Sequence, residues 1–339
     1  MQAAATYPSQ PVLVRVMRGD YVESVHRGAF VLTDGAGQVI DGAGNYEALV
    51  FTRSAIKILQ ALPLVESGAA DAFGLCAEDL ALTLASHNAE QVHVDLARRM
   101  LARLALDASC LLCGSQFPGD PKARTELAVH GQEPSALHNN CSGKHAGFLT
   151  LGAHLGAPPS AYLDPDSKVQ LAVRRVIAEV CDLPLDELSF GIDGCSAPTW
   201  RLSLTQLAAA FARVTSPGRL GKDRDLACLR LTDAAAAHPV LVAGSHRRLC
   251  TALLQASKGK LFPKIGAEGI YAIGVRGADR ALACKIDDGG NRALHALVLE
   301  LCQRFSFLDQ AAMEQLSAFR GDPLRNRAGL SVGRIEVLA

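Results

Sequence analysis

Apolar and polar residues alternate at both ends of the chain, and this period of two predicts β-strands. The strands predicted near the N-terminus cover residues 11–17, 21–32 and 38–40. Those predicted near the C-terminus cover residues 270–275 and 281–286, ahead of a final helix that begins near Asn291. Because short turns separate neighbours within each group, we expect antiparallel pairing, and we expect the two groups to share one sheet.

Between these groups, from about Ser54 to Cys250, the apolar residues follow a mainly helical period. Three helix starts are marked by a short polar residue followed three positions later by glutamine, the pattern of a capping box. They are Asn88 with Gln91, Ser167 with Gln170, and Ser203 with Gln206. This order predicts an α+β fold, in which an antiparallel sheet of N- and C-terminal strands packs against a helical region.

No fixed repeat, low-complexity stretch or long linker divides the sequence, which predicts a single unit over residues 1–339. We expect its sheet region at 10–53 and 262–339, including the C-terminal helix, and its mainly helical region at 54–261. A cleft between these regions is the expected ligand site.

Charge and composition exclude several classes of partner. Lys plus Arg and Asp plus Glu each number 34, so the formal net charge is zero and offers no attraction for nucleic acid or an anionic membrane. With 49% hydrophobic and 20% charged residues, a chain of this length can form a core without disulfides or metal. The expected partner is a small-molecule substrate.

The predicted location is the cytoplasm. Residues 1–16 lack a basic stretch followed by an apolar core, and no apolar run approaches the roughly 20 residues of a membrane helix. Ten cysteines in 339 residues are too few for a disulfide scaffold. These cysteines are expected to be reduced, as core residues, metal ligands or nucleophiles.

Ser54 and Lys57 form a Ser-x-x-Lys pattern in an apolar stretch that is predicted to be helical and to end near Pro63. A lysine amine that is desolvated, or close to a second ammonium, can lose its proton and accept one from a serine hydroxyl. A solvent-exposed surface pair is the alternative. The isoleucines on both sides of Lys57 favour the catalytic interpretation.

Two further patterns follow in the order of the β-lactamase and penicillin-binding signature. Ser86 and Asn88 form a Ser-x-Asn pattern on a predicted loop, and Lys264 begins a Lys-x-Gly pattern at a predicted sheet edge. Each alone is better explained by helix capping or by an exposed strand lysine. Their occurrence together and in order favours a serine and lysine active site.

Cysteines lie in two glycine-rich turns, where residues 139–148 carry Cys141 and Lys144, and residues 191–198 carry Cys195. A helix N-terminus after the first turn would lower the pKa of the Cys141 thiol. Two thiolates, a neutral amine and water could complete a tetrahedral zinc site, although by spacing alone two buried cysteines in glycine-rich turns explain the pattern better. A C-x-x-C pattern at Cys110 and Cys113 has no partner pair and is better explained by core packing.

Together these strings resemble the serine/lysine, zinc-containing L-asparaginases, called class 3 or the asparaginase II family. The resemblance covers nearly the whole chain, and H-N-N-C-S-G-K-H-A-G-F at residues 138–148 is its most specific string. It implies a fold like those of serine β-lactamases and glutaminases, a homodimer, and hydrolysis of L-asparagine to L-aspartate and ammonia. The resemblance also implies two serine/lysine tandems, Ser54 with Lys57 and Ser86 with Lys264.

The resemblance further implies one zinc ion per chain, with Cys141, Lys144 and Cys195 as its ligands. Because the serines already provide a nucleophile, the zinc is expected to support substrate binding rather than chemistry. The candidates for binding the charged ends of the substrate are Asp193, His145 and Glu268, and a packed helix residue is the alternative for His145. Ser54 is the favoured nucleophile of a double displacement, with Lys57 taking its proton.

Other functions remain open from the sequence. The nearest are a glutaminase or a penicillin-recognising serine hydrolase of the same fold. A zinc or thiol sensor is the alternative from a different class.

Overall fold

One large antiparallel sheet forms the centre of the computed structural model, which describes residues 9–339. Its strands are β1 (Val12–Arg18), β2 (Tyr21–Asp34), β3 (Val39–Ala43), β7 (Leu261–Ile265), β8 (Ile270–Val275), β9 (Arg280–Ile286), β10 (Leu324–Arg325) and β11 (Ser331–Val337). The order is β10-β11-β1-β2-β9-β8-β7, and β3 pairs with β2. N-terminal strands therefore lie between C-terminal ones, which confirms the predicted shared sheet and the α+β class.

A second sheet of three short antiparallel strands was not predicted from the sequence. It consists of β4 (Val50–Phe51), β5 (Phe190–Ile192) and β6 (Pro198–Leu202), in the order β4-β6-β5. These strands are too short to show a clear period of two. Their role is to join the segment before Ser54 to the turn that carries Cys195.

Helices occupy most of the remaining chain. They are α1 (Lys57–Glu66), α2 (Ala69–Ala72), α3 (Ala77–Thr83), α4 (Gln91–Ala102), α5 (Pro121–Val129), α6 (Ser142–His154), α7 (Lys168–Cys181), α8 (Leu204–Thr215), α9 (Lys222–Ala237), α10 (Pro239–Ala243), α11 (Leu249–Ala256), α12 (Asn291–Arg304), α13 (Gln310–Gln315) and α14 (Ser317–Arg320). Short 3₁₀ turns lie at Arg53–Ile56, Ala108–Cys110, Ala136–His138 and Pro159–Ala161.

Two of the three predicted helix caps are confirmed, and the third, at Asn88, is wrong. Ser167 and Ser203 each accept a hydrogen bond from the backbone N–H three residues later. Asn88 caps nothing, because Ala89 has a left-handed φ of 61° that interrupts the helical path, and α4 begins only at Gln91. The helix predicted to end near Pro63 instead continues to Glu66.

The large sheet separates two apolar clusters. Helix α8 packs on β2, β8 and β9, within the cluster that includes most of the helical region. On the other face, α12 packs against β1, β9 and β11. Burial of both faces explains why β8 and β9 consist almost wholly of buried residues.

Two features of the chain bear on the predicted location. No helix formed by residues 9–339 is long and apolar enough to cross a membrane. All ten cysteines are free thiols. The interpretation of the first residues as lacking a leader falls partly on residues 1–8, which lie outside the described residues.

Candidate active site

Lys57 begins α1, and its side chain is 1% exposed. Its amine donates to the carbonyl oxygen of Ala85, to Ser86 Oγ at 3.2 Å and to Cys141 Sγ at 3.1 Å. An ammonium has three N–H donors, and three acceptors surround this one. The surroundings of this amine therefore offer one acceptor for each N–H of an ammonium.

Ser86 lies on the loop between α3 and α4 and is 6% exposed. Lys264, which is on β7 and 1% exposed, places its amine 2.9 Å from Ser86 Oγ and 3.1 Å from the carbonyl oxygen of Ile265. Ser86 Oγ thus bridges two buried lysine amines. The structure brings together three of the four predicted catalytic residues.

The two amines differ in their surroundings. Burial, followed by the nearby positive charge of Lys57, lowers the pKa of Lys264 to about 7. A neutral Lys264 amine presents a lone pair, so it can accept the proton of the Ser86 hydroxyl. The arrangement therefore allows Lys264 to act as a base toward the Ser86 hydroxyl.

Ser54 occupies a different position. It lies on the 3₁₀ turn Arg53–Ile56, lines a cleft of about 180 Å³, and its hydroxyl makes no hydrogen bond to any described residue. It is three positions from Lys57 along the chain, but the amine of Lys57 is directed to Ser86. The lining of the cleft includes Arg53, Ser54, Cys141, Asp193, Cys195 and Ala267.

The three predicted metal ligands converge beside this cleft. Cys141 precedes the first turn of α6, Lys144 lies within that turn, and Cys195 lies in the turn between β5 and β6. Each is 4% exposed, and Lys144 Nζ is 3.1 Å from Cys195 Sγ. Cys141 Sγ also lies 3.0 Å from Asn140 Oδ1 and 3.1 Å from Lys57 Nζ.

Electrostatics at this cluster favour one thiolate. The hydrogen bond from Cys195, helped by the charges of Lys57 and Lys144, lowers the pKa of Cys141 well below its ordinary value despite burial. The same hydrogen bond and burial raise the pKa of Cys195. Two sulfur donors and one amine nitrogen suit Zn²⁺. No cluster of three His, Cys, Asp or Glu side chains suited to a metal occurs in residues 9–339, so a zinc site here needs the lysine.

The predicted substrate-binding residues are not equivalent. Asp193 lines the cleft with a side chain 12% exposed, whereas Glu268 lies at its edge with a side chain 72% exposed. His145 is fully buried, and its Nδ1 hydrogen-bonds to the Tyr162 hydroxyl at 2.7 Å. Burial and the charge of Lys144 lower its pKa well below the ordinary value. It does not belong to the lining of the cleft.

Sequence reasoning missed Arg53. Its guanidinium donates to Asp193 Oδ1 at 2.8 Å and lies 4.0 Å from Glu268 Oε1. Its backbone has a left-handed φ of 48°, which is costly for a residue with a side chain. Its position beside Ser54 was the available signal, but nothing in the sequence indicates the strained backbone or the ion pair.

Comparisons with known proteins place this geometry in context. A family model described as L-asparaginase II matches residues 14–337. Among curated proteins, none matches the chain.

Several solved structures are similar. Mglu in its native form in 4.3 M NaCl aligns with 14% identity and a TM-score of 0.44, covering 83% of this chain and 61% of that one. Mglu in its glutamate form aligns with 12% identity and a TM-score of 0.45, over 83% and 61%. A β-lactamase from Mycobacterium bovis aligns with 14% identity and a TM-score of 0.40, over 82% and 94%. The chain therefore spans less than two thirds of these two Mglu chains.

Proposed function

The chain belongs to the L-asparaginase II family, and we propose that it hydrolyses L-asparagine to L-aspartate and ammonia. Membership of this family supports an amidohydrolase. The observation that carries the proposal is Ser86 Oγ held between the amines of Lys57 and Lys264, beside a cleft lined by Ser54. Such an arrangement can move protons to and from an attacking hydroxyl.

Ser54 is our nucleophile because its hydroxyl lines the cleft and forms no competing hydrogen bond. Ser86 is 6% exposed and bonded to two amines, which suits a proton relay better than attack on a substrate. The 3₁₀ turn and α1 fix Ser54 on a rigid element.

The first step is a proton shift along this chain of groups. Lys57 gives a proton to Ser86 Oγ while Ser86 gives its own to the neutral amine of Lys264. Lys57 is then neutral and three residues from Ser54, where it takes the hydroxyl proton as Ser54 attacks the side-chain amide. Lys57 then passes this proton to the nitrogen of the departing ammonia, the reverse shift through Ser86 protonates Lys57 again, and water hydrolyses the acyl-enzyme.

Two backbone N–H groups are our candidates for the oxyanion site. Those of Ser54 and Ala267 border the cleft and donate no hydrogen bond to any described residue. Donors that are already aimed at the developing negative charge lower the barrier without reorganisation.

Charged side chains at the cleft are our candidates for binding the charged ends of the substrate. We assign Asp193 to the amino group of asparagine, with Glu268 adding negative charge at the edge, and Arg53 keeping Asp193 in place. His145 is assigned to packing instead, because it is buried and bonded to Tyr162.

We also propose that Cys141, Lys144 and Cys195 bind one zinc ion. The metal would help to hold the substrate and the cleft wall, while the steps above are carried by the serines and lysines. Replacing Cys141 with alanine removes one of three ligands, so bound zinc should be lost and KM should rise more than kcat falls. Metal content after gel filtration tests this, and unchanged zinc would contradict the ligand set.

A homodimer and a cytoplasmic location complete the proposal. The homodimer rests on the resemblance of the sequence to this family, and the location rests on the N-terminal sequence, the lack of a membrane-length apolar run and the small number of cysteines. Light scattering of the purified protein tests the first. Two equal subunits are expected.

The substrate assay is direct. Purified protein is given L-asparagine, L-glutamine or the chromogenic β-lactam nitrocefin, and ammonia or colour is measured. We expect ammonia from asparagine and little from glutamine. Preference for glutamine, or turnover of nitrocefin, would replace the proposal with one of the two hydrolase alternatives.

A further inference from the structure

The segment that starts α11 contacts both halves of the lysine and serine system. Arg248, the residue before the first turn of α11, donates from Nη2 to the carbonyl oxygen of Ser86 at 2.5 Å. Two residues later, Cys250 Sγ accepts a hydrogen bond from the backbone N–H of Ile265 at 3.3 Å, next to Lys264. One short segment is therefore bonded to the loop of Ser86 and to the strand of Lys264.

The backbone around Ser86 depends on this contact. Its own N–H donates to the carbonyl oxygen of Val242 at 3.0 Å, and the N–H of His87 donates to Asn140 at 3.2 Å. The Ser86 carbonyl is the remaining polar group of the residue, and Arg248 satisfies it. A guanidinium on this carbonyl fixes the peptide plane, and with it the direction of Ser86 Oγ.

Charge adds a second effect. The groups that act on the Lys264 amine come from several elements: Lys57 on α1, Arg248 and Cys250 at the start of α11, and Cys141 before α6. After burial and Lys57, the positive charge of Arg248 also lowers the pKa of Lys264, whereas the two thiols oppose this. Of these four groups, only Arg248 also hydrogen-bonds to the backbone of Ser86.

We propose that Arg248 is a positioning residue, which holds the Ser86 hydroxyl in line with the Lys264 amine. This inference rests on the proposed function, because it assigns Arg248 a role in the same proton path. Arg248 does not belong to the lining of the cleft, so it acts through Ser86 and Lys264 rather than on the substrate.

The test compares Arg248→Gln with the wild type and with Arg247→Gln, which removes the same charge from the exposed neighbouring residue. For Arg248→Gln we expect kcat to fall about tenfold, because small misplacements of catalytic groups are costly. We expect the acidic limb of kcat/KM to move upward by about 0.5–1 pH unit, because Lys264 loses a repelling charge. Arg247→Gln should leave both unchanged.

Arg248→Lys keeps a charge and a donor, and should restore the limb to within about 0.2 pH unit of the wild type. If Arg248→Gln does not fold, as judged by its thermal transition, a displaced limb in Arg248→Lys alone overturns the proposal. If Arg248→Gln folds and is active, and the acidic limb of its kcat/KM profile stays at the wild-type position, the proposal is overturned as well. If the wild type releases no ammonia from any amide, the proposed function fails instead, so the two failures are distinct.

Discussion

At the scale of single residues, the site depends on an asymmetry between two lysines. Lys57 is surrounded by acceptors, as an ammonium requires, whereas Lys264 meets one hydroxyl and one carbonyl. Sequence patterns placed both lysines in the site but made Lys57 the partner of Ser54. The structure pairs it with Ser86, which lies 29 residues away, a distance that spacing within one helix cannot reveal.

The state of Lys264 predicts how activity depends on pH. Its pKa is lowered to about 7 by burial and by Lys57, and the mechanism needs its neutral form. As pH falls through 7 the amine gains a proton, so kcat/KM should fall tenfold per pH unit below the limb. A profile of kcat/KM for L-asparagine between pH 5 and pH 9 measures this.

The control for that profile is an exposed lysine. Lys258→Met removes an amine outside the cleft lining and should leave the limb unchanged. A value of kcat/KM that shows no limb near pH 7 and still rises tenfold per unit at pH 9 would mean that the pKa of Lys264 is not lowered, which would contradict the account.

At the scale of elements, the approach of α6 to α3 sets the position of the predicted zinc ligands. Gly143 lies between Cys141 and Lys144, and a Cβ there would overlap the carbonyl oxygen and side chain of Leu82 on α3. A glycine is therefore required by the close packing of the two helices, and not by an unusual φ.

Gly143→Ala should lower the free energy of unfolding by about 1–3 kcal/mol, because the helices must separate. Urea unfolding measures it. Gly152→Ala on the same helix is the matched control, since its Cβ would lie 3.4 Å from Val169, an ordinary contact. Alanine is the better helix former, so this variant should be unchanged or up to about 1 kcal/mol more stable. Equal losses in both variants would contradict the packing argument.

Prediction of elements from the sequence succeeded where the pattern was long and local. The strand at Ile270–Val275 and the helix from Asn291 were located closely because the periodic burial of apolar residues is set within a few residues of sequence. The three-stranded sheet and the start of α4 were not, because their determinants are long-range pairing and the left-handed backbone at Ala89. The left-handed backbone at Arg53 could not be predicted either, because no local sequence pattern indicates it.

At the scale of the whole molecule, the fold brings distant segments to one place. Ser86 and Lys264 are 178 residues apart, and Lys144 and Cys195 are 51 residues apart, yet each pair is in hydrogen-bond contact. Motifs alone suggested that these residues act together. Only the sheet order, which carries β7 beside β8 at one edge, explains how Lys264 reaches the helical region.

The central claim is that Ser54 forms the acyl-enzyme while Ser86 relays protons between two lysines. It is tested most directly by quenching the enzyme in acid during turnover of L-asparagine, digesting it with trypsin, and locating a β-aspartyl ester by mass spectrometry. Cleavage after Arg53 and Lys57 isolates Ser54 on its own short peptide, away from Ser86. We predict the ester on residues 54–57. An ester on the peptide that contains Ser86, with Ser54 unmodified, would contradict the account.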